Sequence, residues 1–293
     1  MDKSCRRGHV TPPALNNRTS EMKNPYKDKT VIVTGGASGM GRSLCLGLAS
    51  RGARVIVADI NGEKARRAAD EIKGMGCHAR AVTLDVGDEG AVFRAVADTA
   101  AEFGSIDYFF NNAGIGISAD ARDLTIEQWR KIFDVNLFGV LYGTMAAYAV
   151  MARQGRGHIV NVASMAGFAP FSINAPYTAA KYGVVGLSQA LRHETEGLGV
   201  RMTLVCPGIV RTSFYDAIEI IGTDRDTYME FMPRRLISPD RAAEIILDGV
   251  ARKKAMIVFP FHAKVLWWVS RFAPFVMNFI NRKMVRKYRS LRK

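Results

Sequence analysis

Cysteine is scarce in this 293-residue chain, and the four present (Cys5, Cys45, Cys77 and Cys206) are too scattered to form a CxxC pair. A chain of this length with 48% hydrophobic residues can build its core without a disulfide framework, so a reducing compartment is expected. Histidine is sparse too. The five histidines never fall at metal-ligand spacing, which argues against a zinc site, and no metal is expected. Residues 1–24 lack the apolar stretch that a signal peptide or anchor requires. They are polar, with Pro12-Pro13, and residues 1–28 read as a disordered leader. No internal repeat is present. Acidic residues stop at Asp248: the 42 residues from Arg252 onward carry 12 Lys/Arg and no Asp or Glu. Residues 1–29 hold 7 basic and 3 acidic side chains, which leaves 22 against 24 for residues 30–251. The formal charge of +14 therefore describes a near-neutral globule with a basic tail.

From Thr30 onward, short apolar runs alternate with helical patterns. Strands are expected at Thr30–Thr34, Arg54–Ala58, Ala79–Leu84, Ile106–Phe110, His158–Val162 and Val200–Val205. Helices are expected between them, among them Gly41–Arg51, Asp88–Phe103, Thr125–Ala152 and Pro176–Gly197. Strands that are apolar throughout imply a parallel sheet covered on both faces, a doubly wound α/β, Rossmann-like fold. The expected organisation is one domain over residues 29–260, followed by a basic, aromatic extension over residues 261–293.

Thr34-Gly35-Gly36-Ala37-Ser38-Gly39-Met40-Gly41 joins the first strand to its helix. Glycines there let backbone N–H groups approach a pyrophosphate, and the helix N-terminus adds its positive dipole end; the same turn also serves as an ordinary tight turn. Asp59 ends the second strand, placed to accept from the hydroxyls of a ribose or, alternatively, to cap the Asn61-Gly62 loop. A carboxylate at that point repels a 2′-phosphate, and Ile60-Asn61 brings no basic residue, so NAD(H) is read over NADP(H). Arg42 is the one dissenting charge.

Tyr177-Thr178-Ala179-Ala180-Lys181 places a phenol and an ammonium at i and i+4 on one helix face. An ammonium near a phenol lowers its pKa from about 10, which suits an acid/base; the duller reading is a surface contact. Ser164 lies just past the strand His158–Val162, at the carboxyl edge of the sheet, as a functional hydroxyl or a turn residue. Asn136 is a poor helix former inside the helix Thr125–Ala152, where it either has a site role or bonds and bends the helix backbone.

Taken together, the TGxxxGxG run Thr34–Gly41, Asp59, Asp85-Val86, Asn111-Asn112-Ala113-Gly114, Asn136, Ser164, Tyr177-xxx-Lys181 and Pro207-Gly208 resemble the short-chain dehydrogenase/reductase family over residues 28–260. The resemblance implies a catalytic tetrad of Asn136, Ser164, Tyr177 and Lys181. Tyr177 would be the general acid/base, with Ser164 on the substrate oxygen. Lys181 would hold the nicotinamide ribose and depress the Tyr177 pKa, and Asn136 would hold a relay water. It also implies a cofactor cradle of Gly35, Ser38, Gly39, Met40 and Gly41, with Asp59 and Ile60 at the adenosine end. Asp85 and Val86 would lie by the adenine, with Asn112, Ala113 and Gly114 lining the cofactor. Pro207, Gly208, Ile209 and Thr212 would approach the carboxamide.

The implied activity is NAD(H)-dependent interconversion of a secondary alcohol and a ketone. The competing class is an NAD(H)-binding scaffold or sensor acting through its tail. Residues 212–236 are rich in Phe, Tyr, Ile and Met (Phe214, Tyr215, Ile218, Tyr228, Met229, Phe231, Met232), and Phe168, Phe171 and Ile117 lie near. They read as an apolar lid over a lipid-like, steroid-like or long-chain substrate, or as core packing of that lid. The extension carries Trp267-Trp268, Phe272, Phe275 and Phe279, then Arg282-Lys283 and Arg286-Lys287, but is too interrupted to span a bilayer. It suits a membrane surface, packing on a neighbouring subunit, or a solvated end; nucleic acid is disfavoured. A homo-oligomer in the cytoplasm, peripheral at a membrane, is the expected setting.

Overall fold

The computed structural model describes residues 24–229 and 236–291. β1 (Thr30–Thr34) leads into α1 (Gly39–Ala49), β2 (Arg54–Asp59) into α2 (Gly62–Gly74), and β3 (Ala79–Thr83) into α3 (Glu89–Phe103). β4 (Tyr108–Asn111) and the short β5 (Ile117–Ser118) precede α4 (Ile126–Phe133) and α5 (Gly139–Gln154). β6 (Gly157–Val162), α6 (Ala175–Glu194) and β7 (Val200–Pro207) follow. Next come α7 (Phe214–Ala217), β8 (Glu219–Ile220), α8 (Arg225–Met229), α9 (Pro239–Ala251) and β9 (Met256–Phe259). The chain then runs through α10 (Phe261–Phe272) and α11 (Pro274–Ser290).

Seven strands form one parallel sheet in the order β3-β2-β1-β4-β6-β7-β9, while β5 pairs with β8. This is the doubly wound Rossmann-like fold expected from the apolar strands: β1 is buried at every residue. Leu44, Leu48, Ile72, Ile246 and Leu247 fill one face of the sheet; Val92, Val96, Ala147, Met151 and Leu191 fill the other. The strand order reverses between β1 and β4, which run parallel, and that crevice at the carboxyl ends is where such folds take ligands. Helix starts follow local chemistry. Asn61, Asp88 and Ser238 accept from the backbone N–H of Lys64, Ala91 and Arg241, and Thr125 with Gln128 closes a capping box.

Four differences from the sequence expectations have physical causes. β9, a run of four residues, was too short to register as a strand, yet it completes the sheet edge beside β7. The strand expected at Ile106–Phe110 starts two residues later, because Ile106 is bonded through its backbone to the Gln154 side chain. Tyr26, inside the expected leader, is 1% exposed, and its hydroxyl donates to the Leu247 carbonyl at 2.6 Å; residues 1–23 of that leader lie outside the described residues. Cys45 and Cys206 are buried free thiols, but Cys77 departs from the expectation of unpaired cysteines in being disulfide-bonded.

The helix expected at Thr125–Ala152 runs continuously as Ile126–Gln154, but not uniformly. Between α4 and α5, residues Asp134–Phe138 form a π turn with wider i→i+5 bonding. By length and composition this helix could cross a membrane; here its buried residues Val140, Thr144, Ala147 and Met151 pack into the body of the domain.

Candidate active site

Lys181 is one turn beyond Tyr177 on α6, which Pro176 helps to start at its first turn. The Lys181 ammonium lies 5.6 Å from the centre of the Tyr177 ring and donates to the Val162 carbonyl at 3.0 Å, tying α6 to the end of β6. It is 3% exposed, and burial lowers its pKa to about 8. Ser164, two residues beyond β6, accepts from the Ala166 N–H at 3.1 Å and lies close enough to Tyr177 to lower its pKa. The turn reading of Ser164 holds, and the same side chain stands beside the Tyr177 phenol.

The acidity of Tyr177 differs from expectation. Burial pushes it up to about 12, against the lowering effect of Ser164, with the nearby Tyr228 phenol adding to the rise. Desolvation outweighs any help from an ammonium aimed at a carbonyl. The resting form is the neutral phenol.

Asn136 is the middle residue of the π turn, fully buried. Its amide donates to the Ile132 carbonyl at 3.1 Å and the Ile115 carbonyl at 3.0 Å, and its Oδ1 accepts from the Ile115 N–H at 3.2 Å. The wide turn aims this side chain inward, as π turns at functional sites do. Its carboxamide is spent on the chain beyond β4, so it fixes the Gly114–Ile115 backbone beside Lys181. A Cβ on Gly114 would come within 2.8 Å of Asn136 Oδ1 and 3.8 Å of Lys181 Nζ.

At the other end, the glycine loop is stitched to the turn after β4. The Thr34 hydroxyl accepts from the N–H of Asn112 and Ala113 at 3.0 and 3.1 Å, and Asn112 Nδ2 donates to the Thr34 carbonyl at 3.0 Å. Gly35 and Gly39 take left-handed φ values of 62° and 49°, which other residues rarely tolerate. Asp59 accepts from the N–H of Ala37 at 3.1 Å and of Asn61 at 3.0 Å, bracing the loop and the next turn at once. Ile60 beside it is 67% exposed. Asp85 Oδ1 accepts from the Gly87 N–H at 2.9 Å, and Val86 is buried against Gly139.

The segment after β7 folds back over this loop. Pro207 and Gly208 adjoin β9, with the Gly208 N–H on the Phe259 carbonyl, and half-buried Ile209 leads to Thr212. Thr212 would lie 3.1 Å from a Cβ on Gly39, and Tyr215, Ser213 and Asp216 line the cavity of about 360 Å³ opening there, with Gly39 and Thr212.

The candidate substrate residues divide. The Phe214 ring lies 6.0 Å from that of Tyr177, and Tyr215 packs edge-on to Phe214 at 5.3 Å. Ile117, by contrast, is 1% exposed in β5 and packs with Ile132 and Ala180 behind Tyr177. Phe168 and Phe171 pack with Ala263 and Leu266 of α10, and Phe168 meets Trp267 at 5.9 Å. They dock the C-terminal helices. Phe231 and Met232 lie outside the described residues. Sequence reasoning missed a buried polar network: Asn161 Oδ1 accepts from Asn111 Nδ2 at 2.8 Å and Thr144 Oγ1 at 3.2 Å, and its Nδ2 donates to Ser188 at 3.0 Å. The available signal was one asparagine in the otherwise apolar run Ile159-Val160-Asn161-Val162.

A family model for the short chain dehydrogenases matches residues 29–219. The chain belongs to the short-chain dehydrogenase/reductase family. It is an oxidoreductase of that family. Over 192 residues it is 38% identical to a cyclohexanol dehydrogenase of Acinetobacter sp. (strain SE19), covering 65% of this chain and 76% of that one. Over 239 residues it is 38% identical to a D-threitol dehydrogenase of Mycolicibacterium smegmatis, covering 75% and 92%. A short-chain dehydrogenase/reductase from Burkholderia phymatum in complex with NAD superposes with a TM-score of 0.75 at 26% identity, over 80% of this chain and 89% of that one.

Proposed function

We propose that this short-chain dehydrogenase/reductase interconverts a secondary alcohol and its ketone with NAD(H), on an apolar substrate. The observation that carries the reading is the convergence of Ser164, Tyr177 and Lys181 at the carboxyl edge of the sheet, with the Phe214 ring beside the phenol.

The residues present fit a dinucleotide. Ser38 makes no capping bond with its side chain, and the first turn of α1 carries no acidic residue, so uncompensated N–H groups point where a pyrophosphate is wanted. Gly35, Ser38, Gly39, Met40 and Gly41 would hold it, with Asp59 on the adenosine ribose. Arg42, the charge that favoured a 2′-phosphate, is paired through both guanidinium arms with Glu71. That pairing, together with the Asp59 carboxylate, supports NAD over NADP.

A bound nicotinamide supplies the hydride acceptor or donor at the carbinol carbon. In reduction the neutral Tyr177 phenol gives its proton to the carbonyl oxygen, and in oxidation the deprotonated Tyr177 Oη takes the hydroxyl proton of the substrate. Ser164 shares its hydroxyl between Tyr177 and the substrate oxygen, which orients that oxygen toward the phenol. Lys181 keeps a positive charge beneath the ring while it remains protonated. Asn136 holds the Gly114–Ile115 backbone that floors the site. Phe214 supplies an apolar wall that favours a hydrocarbon substituent and excludes water.

The test is reduction of NAD and NADP in parallel by the purified chain, with cyclohexanol, a long-chain secondary alcohol and a tetritol. Turnover with NAD and at least one apolar alcohol is the expected result. Equal turnover of the tetritol overturns the apolar reading, and a preference for NADP overturns the reading of Asp59.

A further inference from the structure

The two C-terminal helices turn a continuous apolar face away from the body. On α10, Phe261, Val265, Trp268 and Phe272 recur at i, i+4, i+7 and i+11, one stripe that is between 46% and 77% exposed. It lies opposite Ala263, which is buried, and Ser270, which bonds inward to the Phe168 carbonyl. On α11, Phe275 and Phe279 continue the pattern at 72% and 69% exposed, opposite Met277, Met284 and Tyr288. Arg282 and Arg286 follow at the same spacing and share that outer face. Sixteen large hydrophobic side chains are exposed among the described residues, and seven of them fall between residues 261 and 280. A patch so concentrated marks a surface that something covers.

Charge decides between the occupants. Lys264, Arg271, Arg282, Lys283 and Arg286 flank or extend the stripe, and the chain has no acidic residue beyond Asp248. A second copy docked face to face would bring these cations together with no carboxylate from either side to offset them. An anionic bilayer supplies both missing partners: an interface that accepts Trp and Phe, and phosphates for Lys and Arg. At 12 residues, α10 is too short to span a bilayer, so it lies in the interface plane.

We propose that α10 and α11 form an interfacial hairpin that seats the protein on anionic lipid. The inner side of the hairpin covers the segment that follows Ser164. Trp267 packs on Phe168, and Asn281 accepts from the Ser172 N–H at 2.9 Å and donates to the Pro170 carbonyl at 2.9 Å. Seating therefore brings the catalytic mouth to the lipid surface, whichever alcohol it takes.

The experiment is co-sedimentation of the full chain with vesicles of phosphatidylcholine alone and of equal parts phosphatidylcholine and phosphatidylglycerol. Binding at least about tenfold tighter to the anionic vesicles is expected, weakening with salt. The W268E/F272E double variant should lose it with its melting temperature unchanged, since both side chains are exposed. Retention on anionic vesicles that survives W268E/F272E overturns the proposal, as does equal retention on both vesicles. So does absence of vesicle binding while W268E/F272E lowers the sedimenting mass, which would assign the face to a second copy.

Discussion

The glycine-loop end of this molecule and its C-terminal helices are held by different kinds of contact. At the cofactor end, the turns after β1, β2 and β4 brace one another through short bonds between neighbouring loops, many of them to backbone: Thr34 to Asn112 and Ala113, Asp59 to Ala37 and Asn61. Where α10 and α11 pack on the domain, single side chains instead hold separate segments. Ser270 reaches Phe168, Asn281 reaches Pro170 and Ser172, Tyr288 bonds the Ile221 carbonyl, and Arg289 meets Asp120 at 2.8 Å. The first arrangement fixes a geometry redundantly. The second hangs a cover on a few removable pegs, so chemistry and substrate access should respond to different substitutions.

The sharpest separation comes from Tyr177→Phe. Removing one hydroxyl should lower kcat by about a thousandfold, the scale of a lost general acid/base, while dinucleotide affinity by titration calorimetry stays unchanged. Retained turnover would remove the phenol from the chemistry and revive the reading of the fold as a cofactor sensor.

The pH profile sharpens the same point. Burial holds Tyr177 protonated up to about 12, against the lowering by Ser164. Neutral phenol serves carbonyl reduction, so alcohol oxidation should rise with pH while reduction does not. Ser164→Ala removes the lowering contribution and should move the alkaline rise of kcat/KM to higher pH, alongside a loss of about a hundredfold in rate. A rise that shifts downward, or stays put, would show that Ser164 does not touch the ionisation of Tyr177. Lys181, lowered to about 8 by its own burial, should make carbonyl reduction fall above that pH, where the phenol is still neutral and only the ammonium is lost.

Asn136→Ala tests the floor of the site. It leaves the Ile115 N–H and carbonyl without their side-chain partner, a cost of about 1–3 kcal/mol for buried polar groups left unpaired. A lower melting temperature and a lower kcat are expected together. Asn136→Asp should rescue neither, because a carboxylate accepts from the Ile115 N–H but cannot donate to the Ile132 and Ile115 carbonyls.

How much of this was legible in advance divides along the same line. The sheet and the Tyr177–Lys181 pair could be read because their signals are local: apolar strands, glycines at left-handed φ, and two side chains one turn apart. The π turn could not, since the sequence shows only that Asn136 suits a helix badly. Nor could the raised acidity of Tyr177, which depends on burial by residues distant in sequence. Ile117, Phe168 and Phe171 looked like substrate contacts because aromatic and aliphatic residues near a motif have the same composition whether they line a pocket or pack a helix. Ile117 was decided by Ile132 and Ala180, and Phe168 and Phe171 by α10, whose contact with Phe168 lies about a hundred residues along the chain. Partial segregation of apolar and basic residues in the tail likewise became a defined outer face only when Met277, Met284 and Tyr288 marked the inner one.

The smallest expected effect is the one that best tests the cover as a separate unit. Asp120 is shared: Arg122 grips its carboxylate through two guanidinium nitrogens, and Arg289 adds a third bond from α11. Arg122, with help from Arg289, holds the Asp120 carboxyl below the usual carboxylate range. A lowered folded-state pKa stabilises the docked form above the ordinary aspartate pKa, and that contribution is lost as pH falls through the folded value; docking should therefore be intact at neutral pH. Arg289→Ala frees the end of α11 without unpairing Asp120, which keeps Arg122. KM for a bulky alcohol should rise about threefold with kcat and the melting temperature nearly unchanged, the pattern of lost uniform binding. Arg289→Lys should restore part of it, since an ammonium keeps the charge and lacks the guanidinium geometry. A fall in kcat with KM constant would mean that the C-terminal helices and the catalytic floor are coupled, and the separation drawn between the two regions would fail.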